Sequence, residues 1–564
     1  MTEKERKKQE KMLKSSATKS KIATLQAEIK KIFTDNEITD PDQKIDSIIE
    51  KSEQLSTLHL WRETKDCVLV LKSLNWLTNM PEKQLAANQD VIDRFAGKDP
   101  VAIFEHFFNE EIRSHIISES IRYARQQNSP DFLLDHNDLK KFTGILFLTG
   151  YHTLPQQPMY WERSHDIAMP IVFQTMSRSR FRDIKRYLHL ANNELLVQES
   201  SDKLFKVRPL YDLVNKSVNQ IPPWRRDFSI DEQMIPYCGR HSAKQTNREK
   251  TVRFGYKNFC LTSSDGYPYF IIPYAGAKGV QGTSGKDLTA RVVLQLIASL
   301  PTDLSYNLAF DNWYSSQKCL DILTSLNIPS VGTVREDRIG SCPLLPKAEL
   351  KKKTRGEWVC AIDLNLGLKV IKWHDNSVVS MISNCLDPFP KDKVKRWSAK
   401  EKKHILVERP NAVTEYNLAM GGVDQLDSGV ANYRIKIKGK KWWWCHYTNN
   451  MKILMVAAWK AWRKANPEVK DQSELTFIRF IVSRYLTLPS DKVLKSVTTG
   501  TRVNEGIRLN QQFHKLIQVK SQRRCAIPSC TSRPRTVCQT CNVALCIPND
   551  HFVLYHTVRD ISTI

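Results

Sequence analysis

Apolar residues recur at three- and four-residue steps near both ends of the chain, and a two-residue alternation runs through the stretch between them. Ile22, Leu25, Ile29, Ile32 and Phe33 form a first helical stripe, and a second runs from Leu55 to Leu77. This spacing stacks apolar side chains on one helix face. A denser pattern follows Pro100, where Ile103, Phe104, Phe107, Phe108, Ile112, Ile116, Ile117 and Ile121 predict helix from Asp99 onward. Leu139–Gly150, Pro170–Leu188 and 442–463 predict further helices.

The alternating stretch begins where Phe228 and Ile230 interleave with Ser229 and Asp231. It predicts a short strand that delivers Asp231 and Glu232 at its end, before Pro236 and Gly239 break regular structure. Two more strand patterns, at 259–262 and 267–273, flank Ser263-Ser-Asp-Gly266, whose Asp-Gly pair is a hairpin signal. A helix over 288–300, a buried strand ending at Asp311, a helix over 316–326 and a strand over 329–334 follow. A hairpin and then β-α-β predicts an α/β sheet. Residues 336–410 carry strand patterns at 358–362 and 370–373, and read as a β-rich insertion.

Charge narrows the partner. The chain has 85 Lys and Arg against 60 Asp and Glu, a net +25 over 564 residues. Such a balance points to a polyanion. Nucleic acid is favoured over a membrane, because no apolar run approaches the ~18 residues of a span. Basic runs occur at Lys4–Lys8, among Arg178, Arg180, Arg182, Lys185 and Arg186, at Lys351–Lys353, over Lys391–Lys403, and at Arg434, Lys436, Lys438, Lys440 and Lys441. The first run is either a nuclear import signal, placing the chain in the nucleus, or a solvated charge run. Trp442, Trp443 and Trp444 follow the last run directly. They either stack on nucleic acid beside phosphate-neutralising lysines or pack the start of the next helix.

Three acids stand out. Asp231 and Asp311 close strand patterns, and Asp424 follows the Gly421-Gly422 break with Asp427 three residues on, a spacing that shares one helix face. Carboxylates so placed suit Mg²⁺ or Mn²⁺, which prefer oxygen ligands and leave positions for water and phosphate. At the other end, Cys525, Cys530, Cys538, Cys541, Cys546, His551 and His556 crowd into the tail. Seven ligands exceed one tetrahedral zinc and fall one short of two. Their interleaving suggests a cross-brace, with ligand pairs alternating between two Zn²⁺. Arg523 and Arg524 lie beside it as candidate phosphate contacts.

The stretches Ser229–Arg240, Phe310–Ser316 and Gly421–Asp427, with the Cys/His-rich tail, resemble the piggyBac-type transposases over roughly residues 98–560. The resemblance implies an RNase H-like core in which Asp231, Asp311 and Asp424 bind the catalytic metal and Asp427 is a fourth essential acid. It also implies strand cleavage and transfer at transposon ends, a TTAA target, a homodimer on double-stranded DNA, and a terminal zinc domain that recognises DNA. The basic start and His551, where relatives often carry Cys, depart from the pattern. The expected organisation is an N-terminal region at 1–97, a helical dimerisation and DNA-binding domain at 98–227 and 436–520, a catalytic core at 228–335 and 411–435 around the insertion at 336–410, and a zinc domain at 521–560. Two other readings remain: a host DNA-binding protein that has lost catalysis, and a tail that acts as a ubiquitin-ligase-like module.

Overall fold

A computed structural model of the chain describes residues 11–12, 14–35, 37–64, 82–197, 202–246, 252–276, 288–488, 508–509, 514–519 and 521–558. The Lys4–Lys8 run and most of the Leu55–Leu77 stripe lie outside these residues. Where that stripe is described, Trp61–Thr64 is a strand rather than a helix.

Ten strands form one sheet: β1 (Trp61–Thr64), β2 (Asp227–Pro236), β3 (Gln245–Thr246), β4 (Phe254–Ser263), β5 (Pro268–Pro273), β6 (Asn307–Phe310), β7 (Ser330–Thr333), β8 (Trp358–Asp363), β9 (Lys369–His374) and β10 (Val378–Ser383). Their order is β1-β8-β9-β10-β7-β6-β2-β4-β3, with β5 also on β4. Within it β5, β4 and β2 are antiparallel, while β2, β6 and β7 are parallel. Parallel neighbours need crossovers, here supplied by helices Leu288–Ile297 and Gln317–Ser325. This is the RNase H-like α/β core that the sequence suggested.

Strand β2 differs from expectation. It runs ten residues, so Asp231 sits mid-strand rather than at a strand end. The reason lies in its two neighbours. Antiparallel pairing with β4 continues to Pro236 opposite Gly255, whereas parallel pairing with β6 stops at Ile230 opposite Phe310. Asp231 is therefore the first β2 residue past the end of β6, and Asp311 is the first residue after β6 itself. The insertion also differs. Strands β8–β10 extend the core sheet through β10 on β7, and β11 (Asp392–Ser398) with β12 (Lys403–Arg409) makes a separate hairpin.

Helices cover the sheet. The expected run from Asp99 to Ile121 is two helices, Pro100–Phe107 and Glu110–Gln126, because Asn109 caps the second by accepting from the Ile112 N–H at 3.0 Å. Ser177 likewise caps Arg178–Tyr187 and cuts the 170–188 stretch in two. Helix Trp444–Ala465 is buried on most of its circumference and packs against Glu82–Phe95, Pro100–Phe107, Arg208–Asn219 and Gly422–Asn432.

The N-terminal helices Ser16–Thr34 and Pro41–Ser56 pack against Gln317–Ser325, and the second also meets Leu288–Ile297. Buried Arg291 pairs with Asp42 at 3.3 Å and with Asp46. Beyond them His59 lies between two fully buried carboxylates, Nδ1 at 2.8 Å from Asp363 and Nε2 at 3.0 Å from Asp321. Burial alone would lower the imidazole pKa, but the hydrogen bonds to Asp321 and Asp363 outweigh it and push it up to about 9. Burial drives the Asp321 carboxyl up to about 6 against the pull of His59. Both folded-state values exceed the free ones, so the stabilisation is fully present at low pH. The His59 part begins to fade above pH 6.5 and is lost as pH rises through about 9. We expect the melting temperature of wild type minus that of H59N to shrink steadily between pH 6.5 and 9, a loss on the order of 2–3 kcal/mol. A pH-independent difference in thermal scans would contradict the buried ion pair.

Candidate functional site

Alternation along β2 puts Ser229, Asp231 and Gln233 on one face, and the register on β4 sets Thr262, Cys260 and Asn258 opposite them. The Ser229 and Thr262 hydroxyls hydrogen-bond at 3.0 Å. Helix Gly422–Asn432 begins on this pair. A Cβ at Gly422 would lie 2.2 Å from the Ser263 carbonyl oxygen and 2.5 Å from both the Ser229 and Thr262 hydroxyl oxygens, so only glycine lets the helix start so close. Asp424 follows in its first turn, exposed, and Asp427 lies half-buried one turn later.

Asp231 is 9% exposed, and its Oδ1 accepts from the Glu232 N–H at 2.8 Å. Asp311 opens a tight turn. Its carbonyl accepts from the N–H groups of Tyr314 and Ser315, each at 3.2 Å, and its Oδ1 accepts from the Trp313 N–H at 2.5 Å. Tyr416, which no sequence motif marks, lies within electrostatic reach of all three acids. Burial holds the Tyr416 phenol well above its ordinary pKa, and the charges of Asp311, Asp231 and Asp424 push the same way. One carboxylate thus comes from β2, one from the end of β6 and one from a helix seated on β2.

Glu232 was expected beside Asp231, but the pleat turns it to the other face. There it sits 3.5 Å from Lys257 Nζ and accepts from the Tyr314 hydroxyl at 3.3 Å. Among the described residues, no three carboxylates of this site have oxygens within 4.8 Å of one another. What fits a divalent metal is the donor type, since oxygen-only ligands suit Mg²⁺ or Mn²⁺.

The basic run at 434–441 is extended and alternates. Ile435 and Ile437 are buried, while Lys436, Lys438 and Lys440 are exposed. It lies close over helix His136–Tyr151, where a Cβ at Gly150 would come within 2.3 Å of the Tyr433 carbonyl oxygen. It also joins helix Arg178–Tyr187, with Lys185 Nζ donating to the Lys438 carbonyl and Lys441 Nζ to the Arg186 carbonyl, both at 2.7 Å. The result is a groove of about 510 Å³ lined by Arg182, Lys185, Arg186, Lys438, Lys440 and Lys441. Two basic runs distant in sequence thus share one surface. Arg434 does not join them; it is half-buried and feels the charge of Asp427. Burial lowers Lys185 to about 8, and burial with the nearby charges of Lys206 and Arg186 lowers Lys441 to about 8. Trp443 and Trp444 are core residues, and Trp444 Nε1 donates to the Ile437 carbonyl at 2.9 Å. For these two the packing alternative holds. Trp442 is half-buried and stacks on His241, ring centroids 4.2 Å apart.

In the tail, Cys525, Cys530, Cys546 and His551 form one cluster, and Cys538, Cys541, His556 and His514 form another, each with ligand atoms within 4.8 Å. Sulfur and nitrogen donors stand 3.4–3.7 Å apart. That matches the edge of a tetrahedron with bonds of roughly 2.0–2.3 Å, so each cluster could hold zinc. His556 Nδ1 lies 2.6 Å from the Phe552 carbonyl, which leaves Nε2 to a metal. The interleaved order is the expected cross-brace. His514 is the eighth ligand, ahead of the expected domain start at 521. It reaches the site because Leu516–Gln518 (β13) pairs with Thr536–Cys538 (β14), Leu516 beside Cys538. Arg523 and Arg524 are exposed on this unit.

Two outcomes test this geometry. Elemental analysis of the purified chain is expected to give two zinc per molecule, falling to about one in H514A; two in the variant would remove His514 from the ligand set. G422A must shift backbone or hydroxyl contacts, and overpacking of this kind costs about 1–3 kcal/mol. Its melting temperature should fall accordingly, while G421A, with nothing within 4 Å of its Cβ, should melt near wild type.

The family model described as Transposase IS4 matches residues 99–459. Human piggyBac transposable element-derived protein 3 is 34% identical over 465 residues, 82% of this chain and 76% of that protein. Human piggyBac transposable element-derived protein 2 is 33% identical over 430 residues, 76% of this chain and 72% of that one. A piggyBac transposase solved as a synaptic complex with hairpin DNA matches at a TM-score of 0.57 and 21% identity, covering 80% of this chain and 97% of its own, a likeness of fold. With a family model over most of its length and two relatives above 30% identity, the chain belongs to the piggyBac-type transposase family.

Proposed function

We propose that the chain cuts and rejoins DNA strands at transposon ends, with Asp231, Asp311 and Asp424 holding Mg²⁺ or Mn²⁺ and Asp427 supporting them. The register that leaves Asp231 and Asp311 each one residue past the paired ends of β2 and β6, with the helix of Asp424 seated on Ser229, carries this reading. A divalent metal bound there supplies activation of water and neutralisation of charge on the phosphate. The chain's own residues do the rest. The groove between Arg178–Tyr187 and the 434–441 segment binds duplex phosphates, since clustered Lys and Arg release counterions on contact with DNA. The zinc unit, with Arg523 and Arg524 exposed, reads the element end. A TTAA target, assembly as at least a homodimer to bring two ends together, and a location in the nucleus belong to the same proposal.

Labelled linear DNA carrying candidate element ends should be nicked with Mg²⁺ and left intact with EDTA. D311A should stop cutting by more than a hundredfold while binding DNA as wild type does. Tight, salt-sensitive binding without cutting by wild type would instead mark a transposase-derived protein that binds DNA only.

The groove gives a further outcome. Lys185 and Lys441 are half-neutral near pH 8, and phosphate favours their charged forms. DNA affinity should therefore weaken severalfold between about pH 7 and 9. Arginine stays charged, so K185R/K441R should flatten that dependence. An identical pH profile in the variant would remove both lysines from the interface.

A further inference from the structure

Asp427 is tied to the interior by a buried chain of hydrogen bonds whose direction can be worked out atom by atom. Its Oδ1 lies 2.7 Å from Gln233 Nε2. A carboxylate only accepts, so the Gln233 amide must present its NH₂ to Asp427 and its carbonyl oxygen inward. That oxygen accepts from two amides, Asn449 Nδ2 at 2.9 Å and Asn258 Nδ2 at 3.2 Å. With its NH₂ committed, Asn258 turns Oδ1 to the Tyr211 hydroxyl, 3.1 Å away, and accepts from it. The single Tyr211 proton is then used. His446 Nδ1, 2.9 Å from the same oxygen, must donate. Burial lowers the His446 pKa to about 3, so the ring is neutral with its proton on Nδ1. Asn258, Gln233, Tyr211, Asn449 and His446 are all buried.

We infer that Gln233, locked in one amide orientation by Asn258 and Asn449, is a positioning residue that fixes Asp427 and, through it, the rotation of the helix carrying Asp424. This rests on the metal-site reading above. The contacts of helix Gly422–Asn432 with β2 include Gly422 on Ser229 and, further along the helix, Asp427 on Gln233. The first contact sets how near the helix lies. The second sets which way its acids face. Asn449 comes from helix Trp444–Ala465, so the helical part of the molecule sets the orientation of an acid in the catalytic part.

Asn449 offers a test that leaves the acids untouched. N449D replaces the donor with an acceptor. The Gln233 amide then turns its NH₂ towards the introduced carboxylate and its carbonyl towards Asp427, oxygen against oxygen; Asn258 flips in step, its oxygen to Gln233 and its NH₂ to the Tyr211 oxygen, and the Tyr211 hydroxyl donates to His446 Nδ1 as the imidazole proton moves to Nε2. N449A removes one of two locks and leaves the amide as it is. Full-length wild type, N449A, N449D and Q233E would be compared by Mn²⁺ titration calorimetry without DNA, by cleavage, and by thermal melting. Mn²⁺ affinity is expected to fall about tenfold in N449D and Q233E and less than about threefold in N449A, with DNA affinity unchanged. In a D427N background the N449D effect should vanish, because the D427N amide pairs with either orientation of Gln233. Wild-type Mn²⁺ affinity in N449D, or an undiminished loss in the D427N background, would overturn the inference. If N449D melts too low to assay, Q233E is judged by the same two criteria. Wild type that binds Mn²⁺ but cuts no DNA would sink the cleavage reading alone, since the affinity comparison still stands. Normal cutting with N449D indistinguishable from wild type would sink the positioning role alone.

Discussion

The close seat of Gly422 on the Ser229–Thr262 hydroxyl pair is the contact on which the candidate site depends. Asp231 and Asp311 come together through sheet pairing, a local consequence of β2 lying parallel to β6. Asp424 lies far along the chain from both and has no such ladder to guide it. It reaches the other acids because a helix can begin within van der Waals distance of two strands. Any side chain at position 422 would hold that helix off the sheet. Ser229 and Thr262 satisfy each other's hydroxyls, so burying them beneath a helix leaves no orphaned polar atom at the contact.

A second feature is the amount of polar structure beneath the site. Gln233, Asn258, Asn449, Tyr211 and His446 sit where a core would ordinarily be aliphatic. Buried amides are costly unless every donor and acceptor is matched, and a matched network admits few arrangements. The amide chain from Gln233 to Asn258 and Asn449 therefore specifies orientation where oily side chains would only fill space, whereas His446 Nε2 has no hydrogen-bond partner among the described residues. It also joins two parts of the molecule that the sequence separates, β2 and β4 of the sheet and helices Arg208–Asn219 and Trp444–Ala465. The same logic operates at the far edge of the sheet. There His59 bridges Asp321 and Asp363, and β1 adds itself to β8. The N-terminal helices, which precede the residues matched by the family model, are thereby built into the α/β core and are more than an appended tail.

The basic surface follows a different rule. Its lysines are exposed because the isoleucines between them are not. Ile435 and Ile437 anchor the segment, and the alternation turns Lys436, Lys438 and Lys440 outward. Lys185 and Lys441 are partly enclosed, and burial, with the charges of Lys206 and Arg186 adding to it at Lys441, makes holding them charged a cost to the folded chain. A polyanion relieves that cost, which ties binding to the stability of the groove itself.

Most strands and helices of the core, the three candidate acids, the two basic runs and seven of the eight candidate tail ligands were legible in the sequence alone. These features are legible because they depend on local periodicity, or on residue types whose chemistry admits few other uses. It did not reveal that β2 runs on past Asp231, because strand length is set by the partner, and β4 continues where β6 stops. Nor did it reveal Tyr416, Gln233 or His514. Tyrosine, glutamine and a lone histidine carry no signal until something distant is brought near them: the charge of three carboxylates, an aspartate on another element, or a Cys-x-x-Cys pair well downstream. The Asn109 and Ser177 breaks were readable in principle, since both are capping residues, but the hydrophobic periodicity ran through them. Tertiary structure decided which residues became neighbours. A contact between distant segments is a property of packing and register, and neither is written in any one stretch of chain.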